Sequence, residues 1–233
     1  MEGILVPIFY AVPCRICGFL AEYRLEHMIE KERGKEFVHS LYEDLHEDTA
    51  IIRISINRAE RMVLHMDSAI QIFQQNHYDS ATLTKLYRLN LGYLTGLGTV
   101  LTDRTSSQLK NAGGMRLVAN DSVVERIIDY WNSAAMIEAM GPDVNEWRTQ
   151  ARARSYLIFD SKYYSTVQVN GRSTIIGSPL LMTTDYNVLT EFSNRLVHVK
   201  NLVLNRYIPQ LNNQIREAEA LMELIRKEYD LKN

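Results

Sequence analysis

The stretch VHSLYEDLHEDTAIIRISINRAERMVLHMDSAIQIF, residues 38–73, decides the fold class. Its apolar positions recur at steps of four and three without a break, through Val38, Tyr42, Leu45, Thr49, Ile52, Ile56, Ala59, Val63, Met66, Ile70 and Phe73. That period traces one face of a long, nearly straight helix with a coiled-coil-like seam. Glu, Arg and Lys fill much of the other faces, as a partly solvated helix requires. The helix is expected over about 21–76, and Gly34 weakens it by roughly 1 kcal/mol against Ala without breaking it.

The C-terminal end carries a matching signal. Asp185 caps a final helix to about Tyr229 whose stripe runs Leu189, Phe192, Leu196, Val199, Val203, Tyr207, Leu211, Ile215, Ala218, Met222 and Ile225. Pro209 falls among the consecutive steps of four around Tyr207 and Leu211, so a local kink is expected there. Between these two long helices (about 21–76 and 185–229) the pattern is shorter and looser. Asp79 or Ser80 can cap a helix through about Leu91, and Gly92, Gly96 and Gly98 mark a loop. Thr102 or Asp103 opens a short helix that stops at Gly113-Gly114, a left-handed cap. Ser122-x-x-Glu125 reads as a capping box opening a helix with Val124, Ile127, Ile128, Trp131, Ala135 and Met136 inward. Gly141-Pro142 is expected to break or kink that helix, which resumes from Asp143 to about Phe159. Thr166-Val-Gln-Val169, Asn170-Gly171 and Arg172-Ser-Thr-Ile175 form the one strong β signal, a hairpin near 166–176 around a type I′ turn. The expected fold is all-α: an elongated helical bundle with shorter helices between the two long ones and one small β-hairpin.

Composition agrees. The chain has 233 residues, 46% hydrophobic and 23% charged, which rules out wholesale disorder. Its net charge of -2 gives no global pull toward nucleic acid. No proline occurs between Pro13 and Pro142, so helices are free to run long. Two cysteines three apart exclude a disulfide framework.

Residues 3–21, GILVPIFYAVPCRICGFLA, are almost wholly apolar and about one bilayer crossing in length. Pro7, Pro13 and Arg15 interrupt the run, Arg15 at roughly 2.5 to 3.5 kcal/mol on insertion scales. A cleaved signal peptide fits less well, because no Lys or Arg precedes the apolar run and no small-x-small site is clear before Glu22. The run reads as a transmembrane anchor over 1–21, complete or cut short at its beginning, followed by a single helical-bundle domain over 22–233. A buried segment of a soluble protein is the alternative. Arg24, Lys31, Arg33 and Lys35 follow the run, which by the positive-inside rule places the domain in the cytoplasm. Cys14-Arg-Ile-Cys17 has zinc or redox spacing, but no second pair completes a tetrahedral site.

Several segments are informative together: Gly18-Phe-Leu-Ala-Glu-Tyr-Arg-Leu-Glu26, Ser40-Leu-Tyr-Glu-Asp-Leu45 with Asp48, Ser107-Gln-Leu-Lys-Asn-Ala-Gly-Gly-Met-Arg-Leu-Val118, and Ile128-Asp-Tyr-Trp131. In this order they resemble an uncharacterised bacterial family, a domain of unknown function, of single-pass membrane proteins. The similarity in pattern covers roughly residues 14 to 233. It implies an N-terminal transmembrane helix running directly into the first long helix, with a helical domain outside the cytoplasm. The chain departs from that family where Met1-Glu2 replaces a basic leader. The resemblance implies no biochemical activity.

The best chemical constellation is Glu36-x-x-His39 and Glu43-x-x-His46. Carboxylate plus imidazole at i, i+3 can bind a metal, and di-iron bundles use such pairs from two helices. Here both pairs share one helix and spread over about 10 Å at helical rise, too far for one ion. Glu191 and His198 are conceivable complements, and the competing reading is a solvated flank with weak local ion pairs. Arg148, Arg152 and Arg154 near Trp147 and Tyr156 form a small basic patch, best read as a solvated helix face. No phosphate-cradling loop, nucleophile elbow or zinc-protease motif occurs. The irregular middle, residues 90–115 with Asn170-Gly171, is where a binding surface would sit, the favoured competing reading being plain connectors around a bundle. The sequence therefore predicts a non-enzymatic, cofactor-free interaction, scaffold or sensor module. It is held at the cell membrane by its N-terminal helix, with a protein partner or homo-oligomer and no nucleic acid. The alternative is a metal-binding bundle using Glu36, His39, Glu43 and His46.

Overall fold

A computed structural model describes residues 5–75, 77–93, 96–111, 113–165 and 173–230, with side chains from Gly18 onward. The described chain is all-α. Helix α1 spans Leu5–Gln75, α2 Ser80–Tyr93, α3 Arg104–Asn111, α4 Asp121–Ser155, α5 Tyr186–Leu202 and α6 Ile208–Tyr229. Short 3-10 turns lie at Gly114–Leu117 and Ser161–Tyr163, and a π-helical turn at Val203–Tyr207 joins α5 to α6. Among the described residues no helix is long and apolar enough to cross a membrane. Residues 1–4 of the expected anchor lie outside the described residues, and the rest of it forms the start of α1.

The helix boundaries follow local chemistry. Asp79 accepts the Thr82 N–H at 2.7 Å and caps α2, and the Thr82 side chain together with this N–H holds its carboxyl below the usual range. Asp185 caps α5 by accepting from the Val188 N–H at 3.0 Å. Gly113 adopts φ 61° after α3, the left-handed conformation that glycine takes without strain. The expected capping box of α4 is not what starts it: Asn120 Oδ1 accepts the Val123 N–H at 3.2 Å, two residues upstream. Nor does Gly141-Pro142 break that helix, which runs through Pro142 unbroken. Near Pro209 the departure from α-geometry is the π turn, closed by the Ile208 N–H on the Val203 carbonyl.

The expected hairpin is not formed by the described residues. Its tip, 166–172, lies outside them, and its flanks meet only as an isolated antiparallel bridge between Tyr164 and Ile175. The Ser165 N–H donates to the Thr174 carbonyl at 2.8 Å and the Ile176 N–H to Tyr163 at 2.9 Å. A second bridge joins Phe159 and Leu181. Two such bridges bound a folded-back connection without making a sheet.

The chain gathers into two compact units, to both of which α1, α4 and α6 contribute. The first comprises the described residues of Met1–Glu47, Thr102–Ile128 and Glu219–Asn233. Its buried side chains include Leu41 and Leu45 of α1, Leu109 of α3, Ile127 of α4 and Ile225 of α6. Gly34 is buried here because a Cβ would overlap the Leu117 carbonyl, so this glycine lets the 3-10 turn approach α1 closely. The second unit comprises Asp48–Leu101 and Asp129–Ala218. Its core unites the α1 seam from Ile52 to Phe73 with Leu86 and Tyr87 of α2, Ile137 of α4 and the stripe from Leu189 to Leu211. The seam is thus covered within one chain. The inner face of α4 is offset from expectation: Val123, Ile127, Tyr130 and Ile137 are buried, while Ile128 and Met136 are exposed.

Candidate binding sites

The first unit holds a groove of about 370 Å³ where α1 passes the 3-10 turn. Its walls carry Arg33, Glu36 and Phe37 from α1 and Arg116 from the turn. Arg116 is bound to Glu30 at 3.0 Å. Glu36, the first residue of the expected Glu-x-x-His strip, therefore sits on this groove. His39 and Glu43 approach each other at 3.6 Å and are both more than half exposed, a weak pair one turn apart. The His46 ring meets the edge of Tyr42 at 5.5 Å. Among the described residues no three His, Cys, Asp or Glu side chains gather as a metal site. Of the conceivable complements, Glu191 is engaged by Arg154 and Arg195, and His198 packs on Trp147 at 4.3 Å. The hydrogen bond from Arg195 leads the effects that hold the Glu191 carboxyl low, and the Arg154 charge adds to it. Cys14 and Cys17 lie outside the described side chains.

Two aspartates one turn apart on α1 are buried, and both tie helices together. In the first unit Asp44 accepts from Arg104 at 2.5 Å and from the Thr105 N–H at 3.1 Å. A carboxylate from α1 thereby caps the first turn of α3, where the helix presents unpaired N–H groups. In the second unit Asp48 accepts the Tyr130 hydroxyl at 2.5 Å, and Gln214 donates to the Tyr130 carbonyl at 3.2 Å. Buried polar groups need such partners, so both aspartates serve packing. The basic patch is likewise occupied with its neighbours: Arg154 pairs with Glu191, and Arg148 donates to Asn145 at 3.1 Å.

The irregular middle is clamped. Asn145 on α4 donates to the Leu97 carbonyl at 2.8 Å and accepts its N–H at 3.4 Å, pairing with the loop backbone as a strand would. Thr99 and Tyr207 share a hydroxyl–hydroxyl bond of 3.0 Å beside the π turn. The same unit holds an aromatic cluster. Tyr87 donates to the Leu180 carbonyl at 2.7 Å, accepts the Asp160 N–H at 2.9 Å, and meets Phe159 edge-on at 5.0 Å. Asn90 donates to Tyr164 at 2.7 Å. Tyr93 is fully buried, and its hydroxyl has no partner among the described residues. Burial pushes the Tyr164 phenol up to about 12 and the Tyr93 phenol well above its ordinary value.

A second cleft, of about 270 Å³, opens in the same unit between the end of α1 and the start of α5. Phe73 and Leu189 line it, Tyr78 and Tyr186 flank it, and Gln74, Thr190 and Asn194 supply amides and a hydroxyl. No sequence motif marks these residues, because they come from separate helix ends. The only hint is a pair of tyrosines beside helix termini, Tyr78 before α2 and Tyr186 after the cap Asp185. No protein-family model matches the chain, and neither does any curated protein or solved structure.

Proposed function

We propose that the chain is a membrane-tethered, non-catalytic helical binding module, held at a bilayer through the beginning of α1. One observation carries the reading. From Gly18 to Ile29 every side chain of α1 is exposed, among them Phe19, Leu20, Tyr23, Leu25, Met28 and Ile29. At 100° per residue these six fall on all sides of the helix, so no single packed neighbour would cover them. Each gains roughly 1.5–3 kcal/mol when fully removed from water. Glu22, Arg24, Glu26 and His27 between them set this stretch at the headgroup level, where apolar side chains reach inward and charges stay hydrated. The six apolar residues continue the apolar run of residues 3–21, so an interface at this height completes an anchor that starts there. The resemblance to single-pass membrane proteins points the same way. The buried aspartates are occupied in joining helices, which supports a scaffold in place of an acid–base site. Carbonate extraction of membranes tests the tether, and protease protection of the C-terminal domain assigns its compartment. Retention in the membrane pellet is expected, and release of the intact chain into the supernatant contradicts the reading.

A further inference from the structure

We infer that the cleft between the end of α1 and the start of α5 binds a neutral saccharide ring. Its lining contains no charged side chain. A charged ligand would lose hydration there without an opposite charge to replace it. A purely apolar ligand would cover the amides of Gln74 and Asn194 and the Thr190 hydroxyl and leave them unsatisfied. These three side chains make no hydrogen bond among the described residues, so their donors and acceptors are open to a guest. A pyranose has the matching duality: a C–H face that packs on an aromatic ring, and an equatorial rim of hydroxyls that pair with amides. Tyr186 lines the cleft and is 72% exposed, so its ring is open to a guest. Tyr78, also in the lining, turns its hydroxyl toward the Phe73 carbonyl at 3.5 Å. The volume falls just below the roughly 300–1,000 Å³ of drug-sized ligand pockets, so it takes one ring and leaves further sugars outside.

The inference does not depend on the membrane tether. The test uses the full chain in a detergent without a sugar head group, titrated with glucose, galactose, mannose and N-acetylglucosamine by saturation-transfer-difference NMR. At least one sugar is expected to saturate with a Kd on the order of 1 mM, its C–H protons receiving the strongest transfer. Tyr186→Ala, at a side chain too exposed to matter for folding, is expected to weaken binding at least about tenfold, and Tyr186→Phe to retain it. Asn194→Ala, also at an exposed side chain, should weaken the same sugar. Glucuronate should bind more weakly than glucose. Failure of all four sugars to saturate overturns the inference. So does saturation that Tyr186→Ala and Asn194→Ala both leave unchanged.

Discussion

Replacing Tyr93 or Tyr87 by Phe removes one hydroxyl from the same aromatic core, yet the two substitutions should act with opposite sign. Tyr87 is fully buried and its hydroxyl makes two bonds, to the Leu180 carbonyl at 2.7 Å and from the Asp160 N–H at 2.9 Å. Each bond contributes about 0.5–1.5 kcal/mol net, and its loss leaves a partly buried backbone group unpaired at up to about 1–3 kcal/mol. Tyr87→Phe is therefore expected to cost about 2–4 kcal/mol. Tyr93 is as deeply buried, but its hydroxyl has no partner among the described residues. Removing an unpaired buried hydroxyl relieves its desolvation penalty, offset in part by the small void left behind. Tyr93→Phe should be neutral or stabilising by about 1 kcal/mol. Urea denaturation followed by far-UV circular dichroism, with unchanged slopes, measures both. A loss of about 2 kcal/mol or more in Tyr93→Phe, or an effect below about 1 kcal/mol in Tyr87→Phe, refutes the reasoning.

Gly34→Ala should destabilise the first unit by about 1–3 kcal/mol despite its better helix propensity, because the new methyl meets the Leu117 carbonyl. Gly141→Ala, with open space at the Cβ position, should instead stabilise by roughly 0.5–1 kcal/mol, and thermal melts compare the pair. Asp44→Ala removes the cap of α3 and is expected to cost about 2 kcal/mol, and Arg104→Ala, which leaves the buried carboxylate with the Thr105 N–H alone, about 1–3 kcal/mol. Alkaline titration carries a sign as well. The folded Tyr164 phenol stands at about 12 against an ordinary 10.0, so its contribution is full below pH 10 and lost as pH rises toward 12. Stability in urea should fall across that window, and less steeply in Tyr164→Phe.

The two long stripes were legible because burial there follows the period of the helix: Leu196, Val199, Val203 and Leu211 are all fully buried as their spacing predicts. The inner face of α4 was not, because its buried positions include Tyr130 and Ser133, whose polar atoms find partners in Asp48, Gln210 and Asn213. Apolar counting discards such residues and settles on Ile128 and Met136, which face outward. Gly34 read as a weak point in a helix and proved to be a contact, since the 3-10 turn that needs it lies far along the chain. Of the Glu-x-x-His strip only the local pair His39–Glu43 was predictable, because i, i+4 neighbours meet on any helix. The Phe73–Tyr186 cleft has no local signature at all: its two sides are brought together by packing of α1 against α5, which periodicity shows only as two separate apolar stripes.

The most direct test of the tether is flotation of the purified full chain with phosphatidylcholine vesicles. It is run beside a variant in which Phe19, Leu20, Leu25, Met28 and Ile29 are each replaced by Ser. The account predicts that the native chain floats with lipid and resists carbonate, and that the variant shifts toward the bottom fraction while its far-UV spectrum is kept. A native chain that stays at the bottom of the gradient, away from the vesicles, contradicts it.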